Sequence, residues 1–235
     1  MSGVTVLRRA AMPPSPHVPV AIVGAGACGL TAAIGLRAHG VDCVLLERDA
    51  QPSGSTALSS GFIPAAGTRL QRALGIADTR ETFAQDIQAK AHGDAAPHLV
   101  DAYTRSVVSA IDALEARGIV FDVLDGFLYP GHRARRMHAV SEHTGAALMA
   151  SLERVAQAQG ADILTSALAR ELYVDDGNRV LGLGFERPDG TMDTLACDVL
   201  LLACNGFGGN ATMVHALLPE TVSYTHLTLP TNREV

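Results

Sequence analysis

Three glycines, Gly24, Gly26 and Gly29, stand directly after a short apolar run, and an acid, Glu47, closes the next one. Spaced as G-x-G-x-x-G, each has its own task in holding a pyrophosphate. Gly24 permits the tight turn, Gly26 lets the backbone approach the phosphates, and Gly29 lets helix and strand pack closely. A helix starting there offers free N–H groups and a partial positive charge to an anion. Glu47 sits where an acidic side chain accepts hydrogen bonds from a ribose diol. An acid at that place disfavours a 2′-phosphate, so NADP fits poorly. The chemistry is dinucleotide binding, and FAD and NAD share this fingerprint.

The elements around these residues follow from periodicity and turn chemistry. "PVAIVG" (19–24) reads as a buried strand, Ala27 to His39 as a helix stopped by Gly40, and "DCVLLE" (42–47) as a second buried strand. Together they open a βαβ unit and predict a parallel sheet covered on both faces. Beyond Gly61 the pattern turns helical. Asp78, with Glu81 three residues on, is expected to cap a helix running toward Lys90. Pro97 suits a first helical turn, ahead of an apolar stripe of Leu99, Val100, Tyr103, Val107, Ile111 and Leu114. Thr144 starts another helix, ending at Gly160. Strands then return, with turn signals at Asp176-Gly177 and Pro188-Asp189-Gly190, as an antiparallel three-stranded meander. A last apolar strand, Val199 to Ala203, is expected to be buried in the parallel sheet.

Bulk properties exclude several classes. Apolar residues make up 48% and charged residues 18% of 235 residues, the balance of a globular chain able to bury a large core. A net charge of −6 excludes nucleic acid as a general partner, since nothing supplies a phosphate-neutralising excess. No apolar run is long enough for a membrane span. Cys28, Cys43, Cys197 and Cys204 lie in apolar runs without a C-x-x-C pair, which fits reduced thiols and a cytoplasmic location. His and Cys never cluster at ligand spacing, so no metal is expected. Residues 1–18, with three prolines and no apolar h-region behind Arg8 and Arg9, read as a disordered leader.

The segment after Glu47 separates the two dinucleotides. A plain NAD domain enters another crossover helix there. Instead "PSGSTALSSG" supplies a loop of small residues suited to packing against a flat ring and a diphosphate. With "AAGTRLQRALGIADT" and the later "LLACNGFGGN", this loop resembles the flavoproteins of the fumarate reductase and succinate dehydrogenase family, which includes 3-ketosteroid dehydrogenases. The resemblance covers about residues 19 to 220. It implies an α/β fold: a Rossmann-like FAD-binding domain over 19–221 with a parallel sheet, an antiparallel meander and inserted helices at about 62–160. It implies FAD as cofactor, with Gly24, Gly26, Ala27, Cys28, Gly29, Glu47 and Arg48 on its dinucleotide end. By position, Ser55 and Thr56 meet the diphosphate, and Ala57, Ser59, Ser60 and Gly61 lie beside the isoalloxazine ring. Ala169 falls in the region that meets adenine through backbone groups, and Ala203, Asn205 and Gly206 in a turn passing the cofactor. Members that attach FAD covalently use a His where Ser55 stands, so noncovalent FAD is implied. Where the family more often has A-T-G-G, Asn205 replaces a Gly; Asn tolerates left-handed φ better than most residues.

The resemblance also implies hydride transfer between flavin and a carbon next to a carbonyl or carboxylate, on a small-molecule substrate such as a carboxylate or a ketosteroid. "YPGHRARRMHAVSEHTG" is basic in an otherwise acidic chain, and Arg135, Arg136 and His138 are candidate contacts for a substrate carboxylate. A solvated basic loop, or contacts to FAD phosphate, are the competing readings of the same residues. After "GFGGNATMVHALLPE" the family continues into a clamp domain that carries its substrate-binding and proton-donating residues. This chain ends instead on "VSYTHLTLPTNREV" (222–235), whose letters match one reading frame of a sequencing-library adapter. A non-native tail on an incomplete and inactive FAD domain is therefore expected.

Overall fold

The computed structural model of the chain describes residues 5–8, 12–126, 128–208 and 210–218. They fall into two compact units, divided between Leu58 and Ser59 and again between Leu148 and Met149. The first unit opens with strands β1 (Thr5–Arg8) and β2 (His17–Val23), helix α1 (Ala27–Ala38), strand β3 (Cys43–Leu46) and a short helix α2 (Gly54–Ala57). The second unit holds β4 (Ile63–Pro64), α3 (Arg69–Ala73), α4 (Arg80–Lys90), α5 (Pro97–Glu115), β5 (Asp122–Val123) and β6 (Met137–Ala139). Helix α6 (Gly145–Ala158) carries the chain back into the first unit, which finishes with β7 (Asp162–Leu164), β8 (Leu168–Val174), β9 (Val180–Glu186), β10 (Met192–Leu202) and α7 (Ala211–Leu217).

The sheet of the first unit runs in the order β1-β8-β9-β10-β2-β3-β7. β10, β2, β3 and β7 pair in parallel, while β8, β9 and β10 form the expected antiparallel meander. β2 is central, so Ala21 and Ile22 are fully buried, and α1 buries Leu30, Ala33 and Ile34 from its apolar stripe. Under the meander, Leu183, Phe185, Leu195 and Cys197 pack with Ala21, Leu46 and Ala167.

Two expectations change here. Residues 5–8 of the leader are not loose: they form a strand parallel to β8, from Thr5 opposite Glu171 to Arg8 opposite Val174. The last strand of the meander and the final parallel strand are one element. β10 pairs antiparallel with β9 over Met192–Ala196, then parallel with β2 over Ala196–Leu202. Its second half has no β9 partner, which leaves Val199 and Leu202 55% and 64% exposed instead of buried.

The second unit contains helices as expected, plus a small antiparallel sheet β4-β6-β5. Strands of two or three residues are too short to show a period of two. α5 keeps Val100, Val107, Ile111 and Leu114 inside, but Leu99 is 62% and Tyr103 40% exposed. Tyr103 lies at the rim, its hydroxyl donating to the Pro64 carbonyl at 2.9 Å. α6 is capped as expected, Thr144 Oγ1 accepting from Ala147 N–H at 3.2 Å. The cap of α4 is Thr79, which accepts from Thr82 N–H, and not Asp78. The carboxylate of Asp78 is occupied by an arginine described below.

Residues 222–235 lie outside the described residues. Among the described residues, no helix is long and apolar enough to cross a membrane.

Candidate cofactor site

β2 delivers the chain into a turn that glycine alone can make. Gly24 has φ +102°, and its N–H donates to the Leu46 carbonyl at 2.8 Å. A Cβ there would lie 2.6 Å from the Ala203 carbonyl oxygen. At Gly29 a Cβ would come within 2.0 Å of the Gly24 oxygen, so α1 packs against the turn at a distance no side chain permits. Gly26 differs from both. It is the N-cap of α1, in ordinary extended backbone, and a Cβ there would meet nothing within 4 Å. The helix has no side-chain cap and no acid in its first turn. Its first amides therefore face open space with the positive end of the dipole behind them. Ala27 and Cys28 form that first turn, with Cys28 exposed.

Glu47 follows β3 directly and is 7% exposed. Its Oε2 accepts from Ala25 N–H at 2.9 Å and its Oε1 from Asp49 N–H at 3.1 Å. The acid is thereby locked to the glycine turn, and an ionised carboxylate has acceptor capacity beyond two bonds. Arg48 is exposed and lies 3.8 Å from Asp49.

α2 brings Ser55, Thr56 and Ala57, all half-buried, to the same turn: a Cβ on Gly54 would lie 3.8 Å from Gly26 Cα. Asn205 has φ +63°, the left-handed conformation expected where Gly is replaced, and its Nδ2 donates to Ser55 Oγ at 3.4 Å. Ala203 closes β10 onto β2 through its N–H to the Val23 carbonyl at 2.8 Å, and Gly206 is exposed just beyond. Ala169 lies on β8, its side chain packed on the cluster beneath the meander, so its backbone is what remains for a ligand. Ser59, Ser60 and Gly61 belong to the second unit, where Gly61 N–H donates to Ser59 Oγ at 3.0 Å and Gly145 N–H to Ser59 O at 2.8 Å.

The basic loop corrects an expectation. Arg136 and His138 are both fully buried, and neither is a loop residue awaiting a substrate carboxylate. Arg136 donates from Nε and Nη2 to Asp78 at 2.8 and 2.9 Å and from Nη1 to Asp86 at 2.7 Å. Its guanidinium lies 4.7 Å from the centre of the Phe83 ring. His138 is held by Thr68 and by a backbone carbonyl. Arg135 is 41% exposed at its side chain and paired with Asp125. Burial, followed by the charge of Arg136, pushes the nearby His132 imidazole down. Three of the five N–H groups of the Arg136 guanidinium are bonded to buried carboxylates and the side chain is fully buried, so it is held by protein. The signal available in the sequence was Asp78, read as a helix cap, with a second acid, Asp86, further along the same segment.

The first unit is thus an α/β fold of the dinucleotide-binding type, with a glycine turn ahead of α1. A family model described as FAD binding domain matches residues 19–233, and the chain belongs to that family. FAD, rather than NAD, is the dinucleotide. The chain is 28% identical to NADH:fumarate oxidoreductase of Klebsiella pneumoniae (strain 342) over 86% of this chain and 22% of that protein. Against the fumarate reductase (cytochrome) of Shewanella frigidimarina it is 26% identical over 95% of this chain and 39% of the relative. A flavocytochrome c3 fumarate reductase structure superposes with TM-score 0.82 at 25% identity, over 89% of this chain and 37% of that one. The 3-ketosteroid-delta4-(5alpha)-dehydrogenase of Rhodococcus jostii RHA1 shares the fold, with TM-score 0.79 at 23% identity over 94% and 52% of the two chains. The chain spans about a fifth to two fifths of the length of these curated relatives.

Proposed function

We propose that this chain is the FAD-holding part of an oxidoreductase of the fumarate reductase and ketosteroid dehydrogenase type. The observation that carries it is the uncapped first turn of α1 at Gly26, beside a buried Glu47 and within a fold shared with those flavoproteins. Gly24, Gly26, Ala27, Cys28 and Gly29 hold the pyrophosphate through backbone amides. Glu47 accepts from the ribose, with Arg48 alongside. Ser55 and Thr56 serve the diphosphate, Ala57 and Ser59 to Gly61 the ring, Ala169 the adenine end, and Ala203, Asn205 and Gly206 the turn over the cofactor. When bound, FAD supplies the hydride-transfer chemistry, and the protein supplies orientation and electrostatics.

The similar proteins include enzymes named for fumarate, urocanate and a ketosteroid. We accordingly propose a small substrate with a carbon adjacent to a carboxylate or a carbonyl. Arg133 and Arg136 are committed to Asp86 and Asp78, so substrate recognition is not assigned to them.

Binding is expected to be noncovalent, because Ser55 offers a hydroxyl where an imidazole is needed for the flavin bond. Purified chain mixed with FAD should turn yellow, show flavin absorption bands and release all colour to the supernatant on acid precipitation. Colour in the pellet would contradict the noncovalent reading, and a colourless chain the FAD reading itself.

A further inference from the structure

The run Gly67-Thr68-x-x-Gln71 and the basic loop have no task in cofactor binding as proposed, yet both lead into one buried polar network. His138 Nδ1 lies 2.9 Å from the Arg136 carbonyl, which can only accept, so Nδ1 carries the proton. Its Nε2 then accepts from the Thr68 hydroxyl at 2.8 Å. Thr68 Oγ1 also accepts from Gln71 N–H at 3.1 Å, and Gln71 Oε1 accepts from the Gly67 and Thr68 amides. Gln71 Nε2 donates to Asp78 at 3.0 Å and to the Arg135 carbonyl at 2.9 Å. Asp78 takes the two-pronged bond from Arg136, whose remaining prong reaches Asp86. Asp86 in turn binds the backbone N–H and side chain of Arg133.

The network ends on β4 and the segment in front of it. Ile63 and Pro64 pair with His138 and Met137, and Ala65 N–H donates to the Arg136 carbonyl at 2.9 Å. That same carbonyl accepts the hydrogen bond from His138 Nδ1–H. Just before β4 comes Ser59–Gly61, whose far side is fixed at the start of α6 by the Gly145 amide. Apolar packing would hold β4 on β6 while tolerating small slips. Desolvated ion pairs do not, because any slip leaves a charge without its partner.

We propose that Arg136 is a positioning residue: clamped by Asp78 and Asp86, it fixes β6 and thereby the backbone conformation of Ser59–Gly61 within the second unit. Its effect on the flavin rests on the reading of Ser59–Gly61 as ring-side residues. The clamp is tested by hydrogen exchange on the purified chain, comparing wild type, Arg136→Lys and Thr68→Val. Lys keeps the charge but cannot span two carboxylates with a planar fork. Exchange at the Gly61, Ala65 and Gly145 amides should speed up by about tenfold or more in Arg136→Lys, with β2 and β9 unchanged. Thr68→Val, which removes the bond to His138 and the cap on Gln71 N–H but leaves both carboxylates on Arg136, should move the same amides less.

Unchanged exchange at Gly61 and Ala65 in folded Arg136→Lys, or equal acceleration throughout both units, overturns the clamp. If Arg136→Lys fails to fold, Thr68→Val decides by the same criterion. With FAD added, Arg136→Lys should bind it stoichiometrically, because the phosphate turn is intact. The visible circular dichroism and fluorescence of the bound flavin should shift toward those of free FAD. Faster exchange with an unaltered flavin spectrum would overturn the placement of Ser59–Gly61 at the ring. Wild type that fails to bind FAD would instead overturn the proposed function, and the exchange comparison would still judge the clamp.

Discussion

Gly26→Val is expected to weaken FAD binding by more than about 100-fold, equivalent to about 3 kcal/mol, while the FAD-free protein melts close to wild type. The separation of the two effects is the point of the experiment. Gly26 has φ −72° and ψ −175°, which a valine adopts readily, and a Cβ there meets no protein atom within 4 Å. Losing a glycine N-cap to a branched residue costs at most about 1 kcal/mol. On the proposed reading, the space beside Gly26 is where the pyrophosphate lies. Gly29→Val provides the contrast. Its Cβ would lie 2.0 Å from the Gly24 carbonyl oxygen, backbone against backbone, so helix and strand must separate and folding should fail together with binding. Flavin fluorescence titrations and thermal melts without FAD read the two effects independently. Wild-type affinity in Gly26→Val would remove the phosphate turn from the site, and a large loss of melting temperature would show that the space is not free.

The difference between these glycines was legible in the spacing, because each role in G-x-G-x-x-G is local: a turn, an approach and a packing contact within one βαβ unit. The meander was legible for the same reason, with Asp176-Gly177 and Asp189-Gly190 marking turns between β-rich runs. Asn205 could also be read, since a residue standing in for Gly has few backbone choices. Burial of the basic loop could not be read. The partners of Arg136 lie 58 and 50 residues away in sequence, and no local pattern announces a long-range ion pair. Asp78 looked like a helix cap because Asp before a helix usually is one, and the adjacent Thr79 took the role instead. β1 was hidden by its setting, four residues ahead of a proline-rich stretch, and pairs with a strand whose residues begin at Leu168. β10 was divided in two because Asp198 interrupts its apolar run, although the backbone continues through it.

Removing Arg136 altogether is expected to destabilise the second unit by about 3–5 kcal/mol, as Arg136→Met leaves desolvated carboxylates without their partner. The side chains of Asp78 and Asp86 are 0% and 5% exposed, so water cannot replace the guanidinium without opening the structure. Converting both acids as well, in Arg136→Met/Asp78→Asn/Asp86→Asn, should recover most of the loss, since the cost lies in uncompensated charge rather than in missing bulk. Urea unfolding followed by a probe in the second unit measures both variants. A triple variant as unstable as the single one would show that the shape of the guanidinium matters more than its charge.

Lowering the pH attacks the same network from two sides. Burial drives the His138 imidazole down, and the carbonyls of Arg136 and Ile63 with the charge of Glu115 only partly oppose it. The folded state therefore holds His138 neutral, while the unfolded chain takes up a proton near pH 6.5. The unfolded state binds more protons below that pH, so this stabilisation is present above about pH 6.5 and declines as the pH falls toward the lower folded value. Asp86 acts at lower pH. Burial raises its carboxyl, but the Arg133 amide and the Arg136 and Arg133 guanidiniums outweigh burial and hold it below the usual carboxylate range. Its contribution is present above the unfolded carboxylate value, about pH 3.9, and disappears as the pH falls through the folded one. The urea midpoint of the second unit should thus decline in two stages, one setting in below about pH 6.5 and the other below about pH 4. His138→Gln should flatten the first stage and leave the second. The flattening should be partial, because His132 is pushed in the same direction by burial and by Arg136. An upper stage that survives unchanged in His138→Gln would mean that His138 is not the neutral, buried partner of Thr68.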